Sequence, residues 1–522
     1  MISWLLFVAI ATFIAFVTPL GEGIDEVVHW DYVQHVAQRK GVPLRQTRSV
    51  SRETTTFLET HPVAWVLHEM NPALASFEQY WQEKQQREER DQALRELRFN
   101  ADYLESDHAV LAQYERHQPP LYYALASLVF NAFSMSSNVL DTFMVVRLFT
   151  ILMASLVVPA SFLFAKSLLE DDAAAIAMTR MVVLFPGLYP GVVRVSNDAM
   201  SLVLTTFVLY FLTSYLKKPG KMRLLGLSVL LLAGLWTKAF FFPVAAGVFG
   251  SLLWYRQFRG ALWIFVVCIA GLPWYFYTYV VTGSLSGLPE TVAAQTSAVT
   301  SAQSITSIDW GNVVRVAVRS HIWAGNWSLL GLRSWMYTTI ALTMALGIVG
   351  LLLRPFRMPR FLPAVVLVYL VFLSGMAYYA TQVFQAVGLS VAQGWYLTSL
   401  IPVECLFFVA GVRSSLGRFW WIPVSIAQLF FLSLMVYSEL FVAMPYYSGF
   451  TAHAASGHLA AYHPNFSDFG QMAARLVRFH SWVPGSALWP LLLVVISVGF
   501  YFVATPGRHH YRARKASSTF RQ

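Results

Sequence analysis

The sequence has few charged residues and almost no cysteine. Only 12% of its 522 residues are charged, whereas 57% are hydrophobic. Soluble domains carry about 25% charged residues, so this composition excludes an ordinary soluble protein and indicates a polytopic membrane protein. The two cysteines, Cys268 and Cys405, lie in apolar runs. They are most simply buried hydrophobic residues and say nothing about the compartment.

Several motifs of well-known chemistry are also missing. The sequence has no H-E-x-x-H or C-x-x-C pair, no Walker A loop, no glycine-rich dinucleotide fingerprint and no G-x-S-x-G elbow. His453, His458 and His463 repeat every five residues, a spacing that scatters side chains around a helix. We therefore expect no cofactor, no metal site and no soluble nucleotide donor, with a divalent metal as the open alternative.

The net charge of +10 is unevenly distributed along the chain. The segment from Pro19 to Gln118 holds 17 of the 27 acidic residues but only 11 Lys and Arg, so it is net negative. The positive excess lies in short loops and in the tail 508–515. This is the positive-inside pattern of membrane proteins, which predicts cytoplasmic termini and no nucleic-acid partner.

Twelve apolar runs are long enough to cross a bilayer of about 30 Å. They are 2–18, 142–168, 173–193, 199–216, 222–237, 240–255, 261–281, 336–353, 362–383, 396–413, 418–440 and 486–504. We therefore predict an all-α polytopic membrane protein with about 12 transmembrane helices. Its predicted parts are a first transmembrane helix at 1–18 that is not cleaved, a large helical extracytoplasmic loop at 19–141, transmembrane modules at 142–281 and 282–504, and a basic cytoplasmic tail at 505–522. The later outer loops are predicted at 282–335, 384–395 and 441–485.

Two segments depart from simple spans. Leu121–Met135 is apolar, but a thirteenth span there would invert the charge bias of every later loop. Because this segment is also short and follows directly on Pro119 and Pro120, we predict a helix in the outer interface (121–135). The short runs 222–237 and 240–255 are joined by Trp236-Thr237-Lys238-Ala239. Broken helices at membrane depth usually line a polar cavity, which is what we expect around this junction.

Ionisable and amide residues gather on the predicted outer face. They are Asp25, Glu26, His29, His117, Arg147, Arg194, Asn197, Asp198, Lys238, Gln393 and the intramembrane Glu404. A carboxylate can act as general base on a hydroxyl group, and nearby cations and amides can hold a phosphate. This combination suits glycosyl transfer from a lipid-phosphate sugar whose head group lies at the interface.

Each of these residues also has a purely structural interpretation. Asp25 and Glu26 could cap the helix that follows them, and Asn197-Asp198 could cap the next outer-face helix. His117 could be an ordinary loop residue, Lys238 could be a snorkelling side chain, and Glu404 could pair with a cation of another span. Independent caps need not all fall on one face of the membrane, so their common side favours a functional site.

Five short motifs follow one another on this face. They are Asp25-Glu26-Val27-Val28-His29, His117-Gln118-Pro119-Pro120-Leu121-Tyr122-Tyr123, Arg194-Val195-Ser196-Asn197-Asp198-Ala199-Met200-Ser201-Leu202, Gly234-Leu235-Trp236-Thr237-Lys238 and Ala392-Gln393-Gly394-Trp395-Tyr396-Leu397. Together they resemble the motifs of GT-C-fold polyprenyl-phosphate-dependent glycosyltransferases, which include protein O-mannosyltransferases, lipid A aminoarabinose transferases and many bacterial relatives. The resemblance covers about residues 1–400. Trp395 stands where an arginine is usual, so any phosphate contact of that arginine must come from another cation here.

The resemblance implies an inverting single displacement in which Asp25 is the base, an acceptor hydroxyl attacks C1 of the sugar, and polyprenyl phosphate leaves. Catalytic roles are therefore predicted for Asp25 and Glu26. Donor-phosphate or substrate binding is predicted for His29, His117, Arg147, Arg194, Asn197, Asp198, Lys238 and Gln393. The implied partners are a polyprenyl-phosphate-linked sugar, membrane lipids and an unidentified glycan, lipid or protein acceptor. The implied location is the bacterial inner membrane, with the active site on the periplasmic or extracellular side.

Two other functions remain as alternatives. A lipid-linked glycan ligase or polymerase is another multi-span class with one large outer loop, although that loop typically lies late in the chain. A non-enzymatic lipid or glycan transporter often shows repeated halves and polar sites at the midplane of the membrane. The position of the main polar cavity separates the classes, because an enzyme should have it on one side and a transporter at the centre.

Overall fold

The computed structural model describes residues 1–38, 41–43, 49–108, 110–134, 137–295, 297, 301–354, 358–454, 457–480 and 484–504. Within these residues the chain forms helices and no β-strand, apart from four isolated β-bridges. The predicted all-α class is therefore confirmed. The predicted basic tail at 505–522 lies outside the described residues.

The chain begins with one apolar helix and continues into a helical loop. The helices are α1 (Ile2–Val17), α2 (Glu26–Ala37), α3 (Arg52–Thr60), α4 (Trp65–Met70), α5 (Phe77–Gln82), α6 (Lys84–Glu96) and α7 (Leu121–Phe133). The polar loop helices begin where the sequence supplies a cap. The Ser51 side chain accepts from the backbone N–H of Thr54 at the start of α3, and Ser76 and Gln79 form a capping box at the start of α5.

The remainder of the chain is mainly apolar helix. Its first part contains α8 (Val139–Ala154), α9 (Val157–Leu169), α10 (Asp172–Leu184), α11 (Leu188–Val192), α12 (Asp198–Lys217), α13 (Lys221–Leu235), α14 (Phe241–Trp254), α15 (Phe258–Gly271) and α16 (Pro273–Thr282). Its second part contains α17 (Pro289–Ala294), α18 (Ser301–Ser307), α19 (Trp310–Ile322), α20 (Ser334–Leu353), α21 (Leu362–Val387), α22 (Ile401–Leu416), α23 (Trp421–Ser438), α24 (Met444–Tyr447), α25 (Phe466–Leu476) and α26 (Leu488–Ala504).

Seven helical segments of the described chain are long and apolar enough to cross a membrane, or eight if the bent pair α15 and α16 is one span. They are Val139–Leu169, Asp198–Lys217, Ser334–Leu353, Leu362–Val387, Gly394–Phe419, Trp421–Tyr447 and Gly485–Ala504. Further predicted spans are shorter helices here, including α1 and α14. The chain is thus a multi-pass membrane protein, and the exact number of twelve spans stays a prediction.

The segment predicted to lie in the interface forms the short helix α7, and Met135 lies outside the described residues. α7 has 13 residues, so it is about 20 Å long and shorter than the hydrocarbon core. It buries Tyr122, Tyr123 and Phe130 against the protein and leaves Leu128 exposed. An apolar outer face on a short helix is compatible with the predicted position in the interface.

The long helices α12, α21 and α22 run the length of the membrane-spanning part. α12 and α22 both begin at the end that holds Asp198 and the turn Gly394–Leu400. α21 runs in the opposite direction. α22 packs tightly on α20, because a Cβ on Gly411 would lie 1.8 Å from the carbonyl oxygen of Gly347. Small residues permit this close approach of two helix backbones, as is common in membranes.

Candidate active site

A small cavity lies where the loop after α1, the turn before α7, the start of α12 and the junction of α13 and α14 meet. Its ionisable lining side chains are Asp25, His29, Glu115, His117, Asp198 and Lys238, and Phe240, Leu288 and Tyr396 are among the other lining residues. Each of the five sequence motifs contributes at least one residue to this lining. Segments that are far apart in the chain therefore build one polar site.

Asp25 is held by its backbone and by one hydrogen bond. Its φ of 59° is in the left-handed region, which non-glycine residues seldom adopt and which Asp tolerates better than most. The Tyr114 hydroxyl donates to Asp25 Oδ1 at 2.7 Å. Although Asp25 precedes α2, its side chain makes no capping hydrogen bond with that helix. The alternative interpretation, in which the Asp25 side chain caps α2, is therefore not supported.

The environment of Asp25 is suited to a base that works near neutral pH. Burial raises the pKa of its carboxyl to about 7, with a further rise from Glu115, while Arg194, the Tyr114 hydroxyl and Lys238 oppose the shift. The side chain is nevertheless only half-buried, because it faces the cavity. A carboxyl with this pKa is both a competent proton acceptor at neutral pH and accessible to a substrate.

Glu115 is a third carboxyl in the cavity, beside Asp25 and Asp198. Burial raises its pKa to about 7, and the nearby Lys238 and a hydrogen bond from Gln118 oppose this shift. Gln118 Nε2 donates to Glu115 Oε2 at 2.7 Å. Sequence analysis missed Glu115 because nothing in its own motif distinguishes it from the surface acids of the same loop.

Lys238 and Arg194 meet at Asp198. The ammonium of Lys238 is hydrogen-bonded to Asp198 Oδ1, and Arg194 Nη2 lies 2.6 Å from Asp198 Oδ2. Arg194 also donates to the carbonyl of Ile24, one residue before Asp25. Lys238 lines the cavity at the break between α13 and α14, with its Nζ 5.3 Å from the centroid of the Tyr396 ring. The break expected near this lysine thus places a cation in the site.

The two histidines of the cavity are neutral. Burial lowers the pKa of His117 to about 4 and that of His29 well below its usual range. His117 Nδ1 lies 2.9 Å from the carbonyl oxygen of Tyr114, so this nitrogen carries the proton and Nε2 is an acceptor. Burial therefore favours the neutral form of both imidazoles, and His29 lies one helical turn from Asp25.

Asn197 joins three of the motifs through its amide. Its Nδ2 donates to Gln118 Oε1 at 3.0 Å and to the carbonyl of Thr237 at 2.9 Å. The Asn197 side chain makes no capping hydrogen bond at the start of α12. Asn197 therefore holds the segments that carry His117 and Lys238 together.

Glu26 and Arg147 form a buried ion pair away from the cavity. Arg147 Nε and Nη2 donate to the two carboxylate oxygens of Glu26 at 2.8 and 2.6 Å, and both side chains are 0% exposed. Arg147 also donates to the carbonyls of Thr18 and Pro19, and Glu26 accepts from the backbone of Val195. Every charged atom is satisfied by protein, so the predicted catalytic role of Glu26 and substrate-binding role of Arg147 give way to a structural one.

Gln393 and Glu404 do not lie in the lining of this cavity. The turn Gly394–Leu400 directs Tyr396 into it instead, and Gln393 Oε1 has no hydrogen-bond partner among the described residues. Glu404 Oε2 lies 2.6 Å from His321 Nε2. Glu404 is thus hydrogen-bonded to a side chain of α19 outside the cavity, and the predicted binding role of Gln393 is not supported by its position.

An apolar groove of about 520 Å³ adjoins the cavity. Ala239, Phe240, Ser286 and Leu288 line both spaces, so the groove leads directly into the polar site. Its wall beyond this point consists mainly of apolar and aromatic side chains, such as Phe242 and Pro243 of α14, Tyr279 of α16, Tyr378 of α21 and Leu285 of the loop after α16. The arrangement gives a polar pocket with a hydrophobic channel attached to it.

The donor atoms of the site do not form a metal cage. Among the described residues, no group of three or more His, Cys, Asp or Glu side chains is placed to hold a metal ion. The cavity carboxyls of Asp25 and Glu115 are instead engaged by Tyr114 and Gln118. The expectation of a site without metal stays a prediction.

The fold and the site define an all-helical, multi-pass membrane protein with a polar cavity at one end of its long helices. No family model matches the chain, and no curated protein matches it. Among solved structures, the chain is similar to the crystal structure of ArnT from Cupriavidus metallidurans bound to undecaprenyl phosphate. The two share 14% identity and a TM-score of 0.44 over 98% of this chain and 78% of that one.

Proposed function

We propose that the protein is an inverting glycosyltransferase that moves a sugar from a polyprenyl-phosphate donor to an acceptor hydroxyl. The carrying observation is the position of Asp25, whose half-buried carboxyl faces a cavity that also holds Lys238. A base and a phosphate-binding cation in one cavity are the minimum that this reaction needs. The acceptor is a glycan, a lipid or a protein of the cell envelope, and the site faces the periplasmic or extracellular side of the bacterial inner membrane.

In the proposed reaction, the acceptor oxygen attacks C1 of the sugar while its proton passes to the Asp25 carboxylate. A bond forms between the acceptor oxygen and C1, and the bond between C1 and the phosphate oxygen breaks. The electron pair of the broken bond stays with polyprenyl phosphate. Because the second pKa of a phosphate monoester is near 6, the leaving group needs charge stabilisation rather than a general acid. Lys238 supplies that charge from within the cavity.

The phosphate-binding role is assigned to Lys238, with Arg194 and Asp198 behind it. Lys238 lines the cavity, whereas Arg194 is 1% exposed and reaches the site through Asp198. We do not assign this role to His117, because burial lowers its pKa to about 4 and so favours its neutral form. Lys238 therefore also replaces, as the phosphate-binding cation, the arginine that similar glycosyltransferases have at the position of Trp395.

The apolar groove supports a lipid-linked donor. It shares Phe240 and Leu288 with the polar cavity, so a hydrocarbon chain in the groove would place its phosphate beside Lys238. Aromatic and aliphatic walls such as Phe242 and Leu285 suit a polyprenyl chain, which has no polar group to satisfy. A water-soluble donor has no hydrocarbon chain that could fill this groove.

The competing functions fit the arrangement less well. A transporter needs a polar site near the centre of the membrane, whereas these ionisable groups gather at the end of α12 that begins with Asp198. A ligase or polymerase that moves a preassembled glycan remains the second candidate class, because it would use the same base and the same lipid phosphate.

The proposed function is tested by mass spectrometry of polyprenyl lipids and envelope glycans. Cells that lack the protein should accumulate one polyprenyl-phosphate monosaccharide and lose that sugar from one glycan, lipid or protein. Accumulation of a polyprenyl-linked oligosaccharide instead would identify the ligase or polymerase class. Unchanged lipid and glycan profiles would contradict both enzymes.

Replacing Lys238 by alanine should weaken the binding of polyprenyl phosphate about 10- to 100-fold. Hydrogen bonds to charged groups contribute about 1.5–3 kcal/mol, and each 1.4 kcal/mol is a factor of ten in affinity. Binding is measured by titrating the purified protein with undecaprenyl phosphate in detergent. Lys84→Ala removes an exposed lysine of the first outer loop, outside the cavity, and should leave the affinity unchanged. Equal affinities of the Lys238→Ala and Lys84→Ala proteins would remove Lys238 from the donor site.

A further inference from the structure

A second cavity, of about 780 Å³, lies at the opposite end of α12. α12 begins at Asp198, in the candidate active site, and ends at Lys217, in this second cavity. Its 20 residues cover about 30 Å, which is the thickness of the hydrocarbon core of a bilayer. The second cavity therefore opens at the membrane face opposite the active site, the face that the charge pattern predicts to be cytoplasmic.

Three cationic side chains line this space, which we call the basic cavity: Lys217, Arg360 and Arg413. The ammonium of Lys217 forms an ion pair with the carboxylate of Glu170. Arg413 Nη2 lies 2.9 Å from Asp171 Oδ2. The exposed Arg360 makes no ion pair within the described part of the chain. The basic cavity thus holds one positive charge more than its carboxylates neutralise.

Lys217 and Arg413 can both contact a ligand although each of them forms an ion pair. Glu170 is 72% exposed, so water screens its attraction for Lys217 and the pair contributes little. Arg413 is fixed by the carbonyl of Leu169 at 3.1 Å and by Asp171, yet its side chain remains 35% exposed. The guanidinium of Arg413 is therefore already ordered at the wall, and ordering it costs a ligand no further entropy.

The remaining wall of the basic cavity is apolar. It includes Leu168, Leu169, Met358, Phe361 and Ala410. A cavity that is cationic on one side and aliphatic on the other matches a phosphate that is joined to hydrocarbon. Clusters of basic residues between membrane helices on the cytoplasmic side are where anionic lipid head groups bind, since that leaflet is rich in negative charge.

We propose that the basic cavity binds the phosphate of an anionic membrane phospholipid. Lys217, Arg360 and Arg413 contact the phosphate, and Leu168 and Phe361 contact the first carbons of the acyl chains. The lipid lies at the end of α12, α21 and α22 that is remote from the candidate active site. This site is independent of the proposed reaction, because none of its residues lines the active-site cavity.

The proposal is tested by native mass spectrometry of the full-length protein in detergent with added dioleoylphosphatidylglycerol. The test variant carries Lys217→Gln and Arg360→Gln, which spare Arg413 and its contacts with the helix ends. The matched control carries Lys221→Gln and Arg259→Gln, two exposed cations on the same face outside the basic cavity. Basic residues near a charged membrane surface contribute about 1 kcal/mol each, so the test variant should bind the lipid about 30-fold more weakly than the wild type. The control should bind like the wild type.

Three further ligands identify the chemistry. Dioleoylphosphatidylcholine, inorganic phosphate and glycerophosphoglycerol should each bind much more weakly than the anionic lipid. Equal binding of the zwitterionic lipid would overturn the anionic preference, and equal binding of either water-soluble phosphate would show that a free phosphate, not a lipid, occupies the cavity. Equal lipid binding by the test variant and the control would reject the site altogether.

Discussion

Replacement of Asp25 by asparagine should lower kcat by about 10²–10⁴-fold, the usual contribution of a general base. Asparagine keeps the shape of the side chain and tolerates the left-handed φ of 59° that Asp25 adopts. It can also still accept the hydrogen bond that Tyr114 donates. The loss should therefore appear in kcat, measured as the rate of polyprenyl-phosphate release in membranes that contain equal amounts of each protein, with donor affinity little changed.

The pH profile gives the same prediction a second readout. Since burial raises the pKa of Asp25 to about 7, the wild-type rate should fall about tenfold per pH unit below that value, as the base becomes protonated. Asp107→Asn is the matched control, because it makes the same chemical change at an exposed carboxylate of the same loop. A near-wild-type rate in Asp25→Asn would move the base to Glu115, the other cavity carboxyl with a pKa of about 7.

Replacement of Arg147 by methionine should destabilise the protein by about 3–5 kcal/mol, because it leaves the Glu26 carboxylate buried without a counter-ion. Arg147 also supplies hydrogen bonds to the carbonyls of Thr18 and Pro19, which the methionine cannot replace. The change should appear as a clearly lower unfolding temperature of the purified protein in detergent. Arg52→Met, which opens the exposed pair with Asp107, should have an effect of about 1 kcal/mol or less.

The double variant Glu26→Met and Arg147→Met separates a structural pair from a catalytic one. Removing both charges should recover part of the stability, since buried ion pairs are often replaceable by apolar residues. Activity per folded molecule should also persist in this variant, because neither residue lines the cavity. A stable double variant without activity would return Glu26 to the catalytic machinery.

The adjacent acids Asp25 and Glu26 show which properties of a residue a sequence motif can predict and which it cannot. Composition and charge distribution are enough to predict both at the outer membrane surface, since long apolar runs and the positive-inside bias depend only on the local sequence. Their separate roles depend on the left-handed turn at Asp25, which directs the two side chains to different neighbours. No local pattern encodes the partner of either acid, because Tyr114 is 89 residues and Arg147 121 residues further along the chain.

The same distinction applies to the rest of the site. The sequence by itself determined the all-helical membrane class and the break between helices at Lys238, since both follow from hydropathy or short-range spacing, and it predicts the outer position of the polar motifs from the charge of the loops. Only the tertiary structure decided that burial lowers the pKa of His117, that Glu115 and Tyr396 enter the cavity, and that Gln393 does not lie in its lining. The physical reason is that the protonation and exposure of a side chain depend on burial by distant segments. Charge, hydropathy and spacing are local, whereas burial is a property of the whole fold.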